Sequence, residues 1–196
     1  MRIIYLSLVI SFAFFACGGK QAETETPETN NFADAQAALA EGKSAAEVAT
    51  LLMANFKSVS DATTGSLDTV ASKDYVKMAN ELSDKFPADT MAALPLYKSA
   101  EVVRAMSDSR RAAETYQRVY DRYPTFSKSG EALFMLGFTY DEDLKDLDKA
   151  KATYERFLQA YPTHSFADDT EILLKNLGKS DAEILRELEK RAEGEQ

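Results

Sequence analysis

Cys17 and His164 are the only cysteine and the only histidine in this 196-residue chain. A nucleophilic thiolate needs a base beside it. These two residues share no motif, so cysteine catalysis is not expected, and one cysteine excludes an internal disulfide framework or a multi-cysteine metal site. His164 reads as a loop residue after Pro162. The acidic run Asp141–Asp148 invites comparison with a calcium loop, which needs alternating oxygens, a glycine for the sharp turn and a distal glutamate. Here glycine is absent and Leu144 and Leu147 interrupt, so the run predicts a solvated turn. Asp168 and Asp169 fit the first turn of a helix, where the dipole favours acids. Arg104, Arg110 and Arg111 form the densest basic cluster, with Asp108 or Glu114 as expected surface partners. No catalytic, cofactor-binding or metal-binding residue is predicted.

The chain carries 23 basic and 32 acidic residues, for a net charge of −9. That balance argues against nucleic acid or an anionic membrane surface as the main partner, since both demand clustered positive charge. With 45% hydrophobic residues, most of the chain can bury a core.

Met1-Arg2 precedes an apolar run from Ile3 to Ala16, which ends at Cys17. Fourteen residues span only ~21 Å as a helix, short of a ~30 Å hydrocarbon core. The pattern predicts a cleaved secretory leader over residues 1–16. Phe14-Phe15-Ala16-Cys17-Gly18-Gly19 resembles the lipobox of bacterial lipoproteins, with Phe14 where leucine is usual. That resemblance implies that Cys17 becomes the first mature residue and carries the lipid. Residues 17–31 then form the lipidated cysteine and a flexible linker with a reach of roughly 20 Å.

From Phe32 onward apolar residues recur at helical spacing. Phe32–Glu41 ends at Gly42, and Ser44-Ala-Ala-Glu47 is a capping-box pattern opening a helix to about Lys57. Residues 58–66 read as a loop, and a helix from about Leu67 ends at Phe86-Pro87. Helices follow at about 166–176 and 180–192. The second opens with the capping box Ser180-Asp-Ala-Glu183, and its face of Ile184, Leu185 and Leu188 predicts a terminal cap.

Aromatic-proline pairs recur at Phe86-Pro87, Tyr123-Pro124 and Tyr161-Pro162, spaced 37 and 38 residues apart. The residue before proline is pushed out of the α region, so a helix stops at each. The aromatic there is expected to wedge into the next helix pair. In one unit Leu96, Ala100, Ala112, Tyr116 and Pro124, and in the next Leu133, Leu136, Gly137, Tyr140, Ala150, Tyr154 and Pro162, resemble the tetratricopeptide repeat. The second unit carries one extra residue in the 141–148 segment. The resemblance implies an all-α array of helical hairpins, an α-solenoid. Residues 32–86 would be N-terminal helices with a degenerate repeat, 87–162 two repeat units, and 163–196 the capping helices.

By matching positions, the resemblance implies a binding groove lined by Tyr97, Glu101 and Arg104 of one unit and Glu131, Phe134, Phe138 and Asp141 of the next. The family's clamp for a C-terminal carboxylate uses lysine and asparagine at such positions, and Tyr97, Glu101, Phe134 and Phe138 stand there instead. Phe134 and Phe138, at i, i+4 spacing, equally suit the core. The expected function is a lipid-anchored adaptor that binds an envelope protein or peptide without a cofactor. It would be an outer-membrane lipoprotein facing the periplasm, or one displayed at the cell surface. It is similar in architecture to repeat proteins of outer-membrane assembly and of the Tol–Pal system. The alternatives are an enzyme or accessory subunit acting on envelope polymers, and a small-ligand carrier.

Overall fold

A computed structural model describes residues 31–61 and 63–194. The expected leader, Cys17 and nearly all of the linker lie outside the described residues. Among the described residues nine α-helices follow in chain order: α1 (Ala33–Ala40), α2 (Ala45–Ala54), α3 (Thr69–Lys85), α4 (Ala93–Ala105), α5 (Ser109–Arg122), α6 (Ser129–Phe138), α7 (Leu147–Ala160), α8 (Ala167–Asn176) and α9 (Asp181–Gly194). Among the described residues there is no strand, only an isolated antiparallel bridge between Ser60 and Leu67. The architecture is the expected all-α array of hairpins. From α3 to α7 each helix packs chiefly on the helices before and after it, as in a one-dimensional array, and α8 packs on α7.

Local chemistry explains the helix starts. The Ser44–Glu47 capping box forms in both directions, and Ser180 and Glu183 do the same. Asp68, Asp108 and Asp146 each accept a backbone N–H one turn into the helix that follows. Helix α2 stops at Ala54 rather than near Lys57, and a 3-10 turn over Phe56–Val59 takes up the difference. Helices α3, α5 and α7 end two residues before Pro87, Pro124 and Pro162.

Buried tyrosines tie the hairpins together. The Tyr75 hydroxyl donates to the Pro95 carbonyl at 3.2 Å. Tyr123 corrects the expectation that aromatics wedge forward. Its hydroxyl lies 2.9 Å from Ser83 Oγ and donates to the Phe86 carbonyl, so it packs back onto α3, where a partner for a buried phenol is available.

The two units of residues 93–124 and 130–162 correspond in register, with one break. Helices α5 and α7 match at a spacing of 38, including their Asp108 and Asp146 caps. The first helices match at 37, pairing Leu96 with Leu133 and Ala100 with Gly137. The extra residue is absorbed by a π-helical turn over Thr139–Asp143, closed by Leu144 N–H donating to the Thr139 carbonyl at 3.0 Å. The segment expected as a solvated turn is therefore partly wound into helix, and Asp141 is 7% exposed.

The C-terminal end differs from the dry-faced cap expected. Ile184 is half-buried, and Leu185 and Ile172 are 59% and 58% exposed.

Candidate functional site

Helix α4 presents two faces. Leu96, Ala100 and Val103 are buried, while Leu94, Lys98, Glu101 and Ala105 run at i, i+4, i+7 and i+11 along its accessible side. A cleft flanks each end of this stripe, and Leu94 and Glu101 are separated by ~10 Å of helix rise.

The cleft at the N-terminal end encloses about 540 Å³ and is mostly apolar. Met53 of α2, Met91, Leu94 and Phe126 contribute to its walls. Met91 is 49% exposed. Methionine walls adapt to varied apolar partners.

The pocket at the C-terminal end encloses about 440 Å³ and is more polar. It is lined by Glu101, Arg104 and Ala105 of α4, Tyr116 of α5, Met135 of α6 and Asp143 of the π turn. Arg104 Nε and Nη2 donate to the Asp143 carboxylate at 2.5 and 3.0 Å, and its guanidinium lies 5.0 Å from the centre of the Phe138 ring. That paired acceptor raises the Arg104 pKa. The expected partners Asp108 and Glu114 are therefore replaced by a residue of the next unit, because the π turn carries Asp143 back to α4. Lys98 donates to Glu101 Oε2 at 2.7 Å.

The structure divides the seven residues expected in a groove. Glu101 and Arg104 line the polar pocket. Glu131 is half-buried and accepts from Lys128. Phe138 is half-buried beneath Arg104. Tyr97 is 5% exposed, its ring edge-on to Tyr116 at 5.8 Å, and burial raises its pKa strongly. Phe134 sits among Phe138, Tyr154, Phe157 and Phe166, all with ring centres within 6.3 Å. Asp141 turns inward and accepts from the Tyr154 hydroxyl at 3.3 Å, and burial raises its pKa. These last three support the surface from beneath, since aromatic rings recover more by burying together than by facing water.

His164 packs its ring between Phe157 and Phe166, and its Nδ1 accepts the Phe166 N–H at 3.2 Å. Among the described residues no group of His, Cys, Asp and Glu is arranged to hold a metal ion. Among them, too, no helix is long and apolar enough to cross a membrane.

Tyr116, Met135, Asp143, Met53 and Met91 were not among the residues expected at a site. Setting the two units in register would have singled out Tyr116, whose hydroxyl has no acceptor at the place where Tyr154 has Asp141.

Residues 96–125 and 131–164 match the tetratricopeptide repeat family. The two hairpins are thus similar to tetratricopeptide repeats. The match covers α4 to α7 apart from the first residues of α4 and α6, and leaves α1–α3 and α8–α9 outside. No curated protein matches the chain. Tetratricopeptide repeats commonly mediate protein–protein interaction, and proteins built on them are typically non-catalytic scaffolds.

Proposed function

We propose that the protein is a lipid-anchored adaptor of a bacterial cell envelope, which captures a segment of a protein partner along α4. The observation that carries the binding role is the accessible, mostly half-buried stripe of α4, which joins an apolar cleft walled in part by Met53 and Met91 to a charged pocket at the junction of the two repeats. A partner segment laid along it would bury apolar side chains at one end and meet polar groups at the other. The apolar run ending at Cys17 supports the anchor, since two or three acyl chains hold a protein stably where one would not. The placement proposed is the outer membrane facing the periplasm, where tethering raises the local concentration of binding sites.

Two measurements test this. Cys17→Ala releases the protein from membranes, and a variant that still fractionates with bilayer after a salt wash contradicts the anchor. Met91→Glu places a charge in the apolar cleft at a half-exposed position and abolishes capture of the partner recovered by crosslinking in envelopes, with helicity intact. Undiminished capture contradicts the binding face. The volume of the apolar cleft also suits a small apolar ligand. A compound that co-purifies with the protein and is expelled by Met91→Glu would favour a carrier.

A further inference from the structure

The two repeats place a tyrosine at the same position and give it different surroundings. Tyr154 of α7 is fully buried, and its hydroxyl donates to Asp141. Tyr116 of α5 is equally buried, and its hydroxyl has no hydrogen-bond partner among the described residues. Arg104 occupies the place in α4 that Asp141 occupies in the second repeat. A guanidinium accepts no hydrogen bond, and this one is engaged by Asp143.

Tyr116 lines the polar pocket together with Glu101, Arg104 and Asp143. Among the lining residues two carboxylates face one guanidinium, and Arg104 and Asp143 satisfy each other. Glu101 accepts from Lys98 and interacts with the Tyr97 hydroxyl, and a carboxylate, with about four lone-pair sites, has room for further donors. The unused capacity in the pocket is mainly acceptor capacity: Glu101 oxygens and the Tyr116 lone pairs, beside the single Tyr116 O–H. An anionic ligand would meet two carboxylates and would have to break the bidentate Arg104–Asp143 pair. A cationic N–H donor would complete the site without breaking it. Ala105 and Met135 supply apolar wall for the methylene stem of such a side chain. The chain's net charge of −9 favours encounter with a basic partner.

We propose that the pocket between the two repeats receives a lysine or arginine side chain of the partner segment, with Glu101 and the Tyr116 oxygen accepting its N–H groups. This deepens the adaptor reading and rests on it. The test is titration of the full chain with a decapeptide of alternating lysine and serine, and with matched peptides carrying glutamine or glutamate for lysine. The lysine peptide binds most tightly. Glu101→Gln weakens it at least tenfold and Tyr116→Phe about threefold. Glu171→Gln, which removes an exposed carboxylate on α8 and thus the same net charge, changes it less than twofold. Circular dichroism establishes that each variant is folded. Absence of lysine-peptide binding, preference for the glutamate peptide, or equal losses from Glu101→Gln and Glu171→Gln would overturn the proposal. So would a partner crosslinked along α4 whose segment has no basic residue at Ala105, an outcome that leaves the adaptor reading standing. No partner along α4 at all would remove both.

Discussion

The second helices of the two repeats have the same length and register, and the first helices differ by one residue. In α5 and α7 the aspartate cap, the buried tyrosine and the proline stop coincide at a spacing of 38. In the second repeat the added residue winds Thr139–Asp143 into a π turn, which aims Asp141 at Tyr154 and Asp143 at Arg104. The second repeat is thereby closed on itself. The first keeps a pocket at its edge, lined in part by Tyr116, whose hydroxyl has no partner among the described residues. π turns are uncommon and often stand at functional sites. Here the turn sits beside the site and supplies one wall of it.

The difference can be broken most severely at Gly137. A Cβ there would stand 2.8 Å from two atoms of the Tyr154 ring, whereas the matching Ala100 of the first repeat already carries a Cβ. Gly137→Val is expected to cost about 3 kcal/mol by overpacking, read as a shift in the urea midpoint with unchanged slope. An unchanged midpoint would mean that the ring yields freely and that the close approach is incidental.

The tyrosines themselves give the next largest contrast. Tyr154→Phe strips buried Asp141 of a donor and should cost about 1.5 kcal/mol. Tyr116→Phe removes a hydroxyl that bonds to nothing and should leave the stability of the free protein within about 0.5 kcal/mol or raise it. Equal losses would show that Tyr116 has a partner in solution.

The smallest effect is in pH. Burial raises the Asp141 pKa above its ordinary value of 3.8. In the window just above 3.8 the native state therefore holds a proton that the unfolded chain has released, and stability falls as pH rises. Asp141→Asn keeps an acceptor for Tyr154 and removes that slope. Stability profiles from pH 3 to 7 should accordingly diverge, with the wild type losing ground to the variant. Parallel profiles would show that Asp141 titrates as it would in water.

Much of the array could be read in the chain because its signals are local. Pro87, Pro124 and Pro162 end helices wherever they stand, and Ser44 with Glu47 caps one from four adjacent residues. The site was less legible because its geometry depends on residues distant in sequence. Arg104 finds Asp143, 39 residues on, instead of nearby Asp108 or Glu114, and only the π turn makes that pairing available. Tyr97, Phe134 and Asp141 hold positions of the kind that line a groove, yet burial with neighbouring aromatics decides where they point. Nothing in the sequence sets Met91 apart from other apolar residues, and its exposure arises from the 3-10 turn Thr90–Ala92 that precedes α4.

The capture of a partner along α4 is tested most directly by site-specific photocrosslinking in intact envelopes. A photoreactive side chain would replace Ala105, at the rim of the polar pocket, or Gln159, on the exposed side of α7. A discrete adduct is expected from position 105, with a basic residue in the crosslinked segment, and none from position 159. Equal adducts from both positions, or none from 105, would contradict it.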